Sequence, residues 1–323
     1  MAKGKAKTAS AENPRTLGAR MLWVCLVRVL PILLVSAALL GGYKLLRSTV
    51  ERAYLFPKDP PKIVLLDRPA WMTDLLASQI ERLARPAGIS SPLDDSTLPG
   101  IADRLKQSAW VKQVRQVRRV YREAPGDTIE IDAVYRQPMA MVKGPFDYYL
   151  VDTDGVLLPD VISPEDVRRV MYTDDGKINI RCIQGVQSPR PDYGQVWKGE
   201  DIRAGLDLAK LLQGKAYTDE IERIDVENLH GRVTNQLPQI RLYTCYKKTP
   251  APTDPKIDPH TEVRWGEPVD QDFHVEIRPE MKLERLADFK QRFGRVDAGY
   301  SWVSIHMPQP THPPTEGPHA NGR

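Results

Sequence analysis

At 323 residues the chain is long enough for one large or two modest domains, and an apolar fraction of 41% suffices to build a core. The net charge of +4 belongs to one end: residues 1–28 hold six basic side chains against Glu12, which is +5, so the remainder carries −1. That distribution excludes a general basic surface for nucleic acid, and three cysteines are too few for a disulfide framework. Cys25 lies in the apolar N-terminal segment; Cys182 and Cys245 are read as two buried free thiols, with pairing in an oxidising compartment as the alternative, which nothing in their spacing demands.

Residues 21–43 read MLWVCLVRVLPILLVSAALLGGY. The uninterrupted apolar part, residues 29–43, is short of the ~20 residues a span requires. A span over residues 22–46 reaches that length if Arg28 and Lys44 extend their charged ends to the headgroups, with Trp23 and Tyr43 at the two interfaces. Pro31 is tolerable in the first turns. The reading is a basic cytoplasmic tail (residues 1–20), a transmembrane helix (21–46) and an exported remainder, because the acid-poor basic flank stays inside. A soluble core helix fits poorly, since both faces are apolar. A cleaved signal peptide fits poorly too, because the charged segment is long and no A-x-A site follows.

Residues 47–61 form a linker closing in Pro60-Pro61. The apolar run Ile63-Val64-Leu65-Leu66 suits a buried strand. Thr73 can cap a helix with Leu76, Ile80 and Leu83 on one face, ending near Pro86. Ser96 or Thr97 opens a second helix carrying Ile101 and Leu105, with Trp110 just beyond. Valines at 111, 114, 117 and 120 match neither a helical nor a strand period, and a bulged strand would reconcile them. Pro125-Gly126-Asp127 marks a turn, and Thr128 to Tyr135 alternates as a half-buried strand does. Strand, helix, helix, strand, strand over residues 62–137 is an α+β unit of POTRA-like topology.

Residues 138–307 read as a mixed β domain with flanking helices. Strands at 148–151 and 156–158 flank Asp152-Thr153-Asp154-Gly155, a hairpin turn. Ser163-Pro164-Glu165-Asp166 is a helix start, and residues 178–183 suggest a strand. A helix over 200–213 turns Ile202, Leu206 and Ala209 inward and stops at Gly214. Strands follow at 221–226 and 240–246. Residues 247–263, with Pro250, Pro252, Pro255 and Pro259, read as an insertion. A helix over 280–293 carries Leu286, Phe289 and Phe293 inward, with Gly294 after it. A last strand, 301–307, precedes a disordered proline-rich tail, 308–323.

No phosphate loop, dinucleotide fingerprint, H-E-x-x-H or S-x-x-K set occurs, so no catalytic, cofactor-binding or metal-binding residue is assigned. The six histidines lack ligand spacing. A calcium loop starting at Asp152 would need glutamate at position 163, which is serine. Lys112, Arg115, Arg118, Arg119 and Arg122 read as a solvated strand face pairing with acids such as Glu130 and Asp132; contact with anionic headgroups is the alternative.

Taken together, Trp110-Val111, Arg118-Arg119, Pro125, Thr128-Ile129-Glu130-Ile131, Arg136-Gln137-Pro138-Met139-Ala140 and Leu150-Val151-Asp152-Thr153-Asp154-Gly155-Val156 resemble the FtsQ/DivIB family of bacterial cell-division proteins. The layout of basic tail, one span, POTRA domain and β domain matches, and Trp265-Gly266 and the helix containing Lys282 are similar to the family's later elements. The step into the second domain is one residue shorter than the family's, and Pro308-Gln309-Pro310 stands where members continue into another short strand. The resemblance implies a non-enzymatic, cofactor-free scaffold of the inner (plasma) membrane, N-terminus cytoplasmic. It would bind division proteins of the FtsB/FtsL type and link them to septal peptidoglycan synthesis. It also implies a partner strand added at the terminal edge, where Tyr300, Trp302, Val303, Ile305 and Met307 are the candidate residues and Ile305 is expected to offer a ladder donor. A POTRA protein of export or assembly, an envelope tether without a division role, and a wall enzyme are the alternatives.

Overall fold

A computed structural model describes Trp23 and residues 30–54, 60–86, 94, 96–120, 122, 128–248, 251–271 and 275–314. The basic tail, Cys25, Arg28, Pro125-Gly126-Asp127, Pro250, His274 and His319 lie outside the described residues.

Helix α1, Leu30–Tyr54, contains one stretch long and apolar enough to cross a membrane. That stretch, Leu30–Val50, has 21 residues, a mean hydropathy of 1.4 and no part buried against the rest of the protein. At 1.5 Å per residue it covers ~31 Å, close to the thickness of a hydrocarbon core. The helix runs on to Tyr54, so residues 47–54, expected as linker, are helical instead. Lys44, Leu45, Leu46 and Arg47 are good helix formers and the first proline after them is Pro57.

The first sheet has three strands in the order β1-β3-β2: β1 Lys62–Leu65, β2 Val111–Val120 and β3 Thr128–Tyr135. Between β1 and β2 come α2, Asp74–Ala84, and α3, Thr97–Lys106. The Thr73 hydroxyl accepts the Leu76 amide at 3.2 Å and caps α2. Leu76, Ala77, Ile80 and Ala84 are its buried face; Leu83, expected inward, is 37% exposed, because Ala84 takes the inward position one residue on. Ile101 and Leu105 of α3 are fully buried. β3 lies between the other two strands, and Ile129 and Ile131 are fully buried. β2 is one continuous strand at the sheet's edge, with Val111 buried and Val114, Val117 and Val120 half-buried. Basic residues on and just after it are partnered: Arg118 and Arg122 both reach the buried Glu130, at 2.8 and 2.7 Å, Arg115 reaches Asp132 at 3.3 Å, and Lys112 reaches Asp154 at 2.6 Å. Charged side chains along an edge strand also discourage pairing with another chain.

The second sheet has eight strands in the order β11-β10-β9-β8-β7-β4-β5-β6. They are β4 Pro138–Lys143, β5 Tyr148–Asp152, β6 Leu157–Ile162, β7 Arg181–Gln184, β8 Ile221–Asp225, β9 Ile240–Lys247, β10 His260–Gly266 and β11 Trp302–Ser304. The pairs β4–β7, β7–β8 and β10–β11 are parallel and the others antiparallel. Parallel neighbours require crossovers. Helix α5, Glu200–Leu212, lies between β7 and β8, and α6, Pro279–Phe293, between β10 and β11; α4, Val167–Met171, follows β6. On one face, Val142, Ile183, Ile224, Leu242, Val263 and Val303 join Ile202, Leu206 and Ala209 of α5 and Leu286 and Phe289 of α6 in a single core. Gly214 (φ +74°) follows α5 and Gly294 (φ +72°) caps α6, both in the left-handed region that favours glycine.

The hairpin between β5 and β6 closes on Asp152. Its carboxylate accepts the amides of Asp154 (2.9 Å) and Val156 (2.7 Å) through one oxygen and Arg136 (2.7 Å) through the other, while Gly155 takes φ +77°.

Further expectations need correcting. Strand β10 starts at His260, inside the segment read as an insertion, because after Pro259 the sequence resumes a strand's alternation. The last strand stops at Ser304, since the carbonyls of Ile305, Met307 and Pro308 turn to Arg285. Thr311 bridges back to Ser304, His312 stacks on Tyr300 and Pro313 is buried, where a disordered tail was expected; residues 315–323 lie outside the described residues. Of the two thiols, Cys182 is buried and Cys245 is exposed, both free. They sit on β7 and β9 with β8 between, ~9.6 Å of strand spacing and beyond disulfide reach of ~7 Å. Burial pushes the Cys182 thiol up to about 12.

Candidate partner-binding edge

Among the described residues β11 is the last strand, and it is the edge of the eight-stranded sheet. It pairs with β10 in the register Glu262–Trp302, Val263–Val303, Arg264–Ser304. The Glu262 amide donates to the Ser301 carbonyl at 3.0 Å, and the Ile305 amide donates to the Arg264 carbonyl at 3.1 Å. Backbone groups alternate sides along a strand, so those of residues 301, 303 and 305 turn inward and those of Trp302 and Ser304 turn outward.

The five residues named from sequence therefore divide. Val303 and Ile305 are core residues, at 1% and 0% exposure, and they anchor the strand. The Ile305 amide is spent inside the sheet, which corrects the expectation that it serves a partner. Trp302 is half-buried on the opposite face, Met307 is 37% exposed, and Tyr300 is buried beneath the ring of His312, with centroids 4.1 Å apart and planes 6° from parallel.

The face opposite the core is charged and aromatic. The Arg264 guanidinium lies 3.8 Å from the Trp302 ring centroid and bonds Glu262 at 2.9 Å. Arg223 and Arg241 stand 5.0 and 5.8 Å from the ring of Tyr243. Arg241 bonds the buried Asp225 at 2.9 Å, and Arg223 holds Asp258 with two bonds of 2.7 and 3.0 Å. Burial alone would raise the Asp258 carboxyl, but hydrogen bonds from His260 and Arg223, with the Arg223 charge, hold it well below the usual carboxylate range. Arginine, tyrosine and tryptophan on such a face are the side chains that dominate protein interfaces.

Two charged groups fix β11 at its ends. Asp297, fully buried, accepts the Gly299 amide (2.9 Å), the Thr261 hydroxyl (2.6 Å) and Arg295 (2.6 and 2.9 Å), and so shapes the turn in which Ala298 and Gly299 take positive φ. Arg285 of α6 donates to the carbonyls of Ile305, Met307 and Pro308 at 2.8, 2.6 and 2.9 Å. Beside the edge lies a groove of ≈650 Å³, lined in part by His230, Gln239, Glu267, Glu276, Met307 and Thr311. Nearby, Lys282 is fully buried on Glu276 at 2.7 Å, and burial pulls its ammonium down. Sequence reading did not pick out Arg264, Arg285 or Thr311, whose roles arise only when α6 and the tail meet the edge; Asp297-Ala298-Gly299 carried a turn signal.

Among the described residues no group of three His, Cys, Asp or Glu side chains is placed to hold a metal ion. No family model matches the chain, and no curated protein does.

Proposed function

We propose that the chain is a non-enzymatic single-pass membrane scaffold of the bacterial division complex, similar to FtsQ/DivIB proteins. In this reading α1 spans the inner membrane with the basic N-terminus in the cytoplasm. The POTRA-like unit formed by β1 to β3 with α2 and α3, and the eight-stranded sheet, lie on the exported side. They bind division proteins of the FtsB/FtsL type and link them to septal peptidoglycan synthesis. The observation that carries the reading is the edge strand β11, where the outward backbone of Trp302 and the flanking Trp302 and Arg264 side chains offer a partner strand ladder bonds and side-chain contact. The strand-helix-helix-strand-strand order with β3 in the middle of its sheet supports it, as does the unburied apolar helix ahead of both sheets.

A fluorescent fusion to the N-terminus tests it. The expected result is label concentrated at the division plane during constriction; even labelling of the envelope through the whole cycle would remove the division role.

A further inference from the structure

The outward rim of β11 is already engaged by the chain itself. The Ser304 amide donates to the Thr311 carbonyl at 2.7 Å, and the Thr311 amide donates back to the Ser304 carbonyl at 3.3 Å, an antiparallel bridge seven residues downstream. One residue further, His312 stacks on Tyr300. The three carbonyl bonds from Arg285 turn the chain between these points, so that residues after Met307 come back along the strand they have just left. Of the two residues whose backbone faces outward, Ser304 is thus covered, while Trp302 has no bridge among the described residues.

We propose that residues 310–314 are a built-in cover for the β11 edge, which an incoming partner strand must displace. The inference rests on the reading of β11 as the docking edge and adds a regulator to it. The composition of the segment suits a cover rather than a permanent ninth strand. Pro308, Pro310, Pro313 and Pro314 lack amide hydrogens, so the segment bonds the edge at one residue and presents few donors to a further strand. It therefore blunts the edge against uncontrolled sheet growth. A partner strand with amides at successive positions can bridge both Trp302 and Ser304, where the cover bridges only one, and this difference lets the partner win the exchange. Proteins that bind elsewhere on the exported part would not need the cover to open.

The test compares the full chain in detergent micelles with a chain ending at Gln309, which keeps all three carbonyls bound by Arg285. Residue-resolved amide exchange is expected to speed at least ~5-fold at Ser304 in the shortened chain, the factor given by two net hydrogen bonds at the weak end of their range. The Ile305 amide, bonded to Arg264, is expected to keep its protection. A fluorescein-labelled Thr-Val-Thr-Val-Thr-Val peptide, a generic strand probe, is expected to bind the shortened chain at least ~5-fold more tightly by anisotropy, with Thr311→Pro in the full chain moving the same way. Unchanged exchange at Ser304, or equal peptide affinity, would overturn the proposal. Loss of Ile305 protection together with Ser304 would make the segment a structural part of the strand and would overturn it as well. None of these readings depends on division: an evenly distributed fusion would sink the proposed function and leave the exchange rates where they are.

Discussion

The Arg223–Asp258–His260 cluster joins two chain segments, β8 and the start of β10, on the polar face of the sheet. Asp258 sits in the connection before β10, Arg223 on β8, and His260 accepts its place through its own amide, which donates to Asp258 at 2.9 Å. The Asp258 carboxyl is depressed in the folded state, so it binds fewer protons there than in the unfolded chain below its ordinary value near 4. Its stabilising contribution is complete above that value and is lost as the pH falls toward the folded value. Denaturant titrations of the native chain and Asp258→Asn, in micelles from pH 7 to pH 2.5, are expected to show a constant stability gap down to pH ~4 that narrows below it. A gap that holds its size to the acid end would show that the pair does not supply that stability. Arg223→Met should cost more than removing both partners, because it leaves a half-buried carboxylate without its cation.

Helix α5 carries a glycine in its interior for a spatial reason. A Cβ on Gly205 would stand 2.7 Å from Cγ2 of Ile183, a fully buried residue of β7, so helix and strand approach at the only distance a bare Cα permits. Helix propensity alone favours alanine there by about 1 kcal/mol. Overpacking opposes it by typically ~1–3 kcal/mol, and the expected outcome of Gly205→Ala is a net loss of up to about 2 kcal/mol. An alanine variant more stable than the native chain in urea would refute the close packing. Much of this element was legible in the sequence: the 3.6-residue spacing of Ile202, Leu206 and Ala209 and the stop at Gly214 both emerge in the structure, as do the Thr73 cap and the Asp152 turn. Those signals are local, and local chemistry fixes them. β10 escaped notice because four prolines precede it and its Thr261-Glu262-Val263-Arg264-Trp265 run gains meaning only between β9 and β11. The candidate edge was legible as a strand, but which of its residues face out is set by the parallel register with β10, a non-local fact. The fold-back of Thr311 leaves no local trace, since a proline-rich segment reads as tail until Arg285 bends it.

Among the described residues, one apolar helix precedes everything that folds into sheets. With the basic flank retained inside, all mass after α1 would be exported. Protease added to intact, outer-permeabilised cells is expected to destroy a C-terminal epitope and spare an N-terminal one. Survival of the C-terminal epitope until lysis would invert the topology and end the scaffold reading in its present form.

The parallel pairing of β10 with β11 carries a consequence for biosynthesis. Because the pair requires a crossover through α6, β10 waits, bare along one flank, until the residues that follow α6 have left the ribosome. A prematurely terminated product lacking those residues would display a seven-residue strand, with the side chains of Val263 and Trp265 stripped of Val303 and Ile305. Such a product is adhesive by nature, and a cell has good cause to degrade it before it meets a second copy.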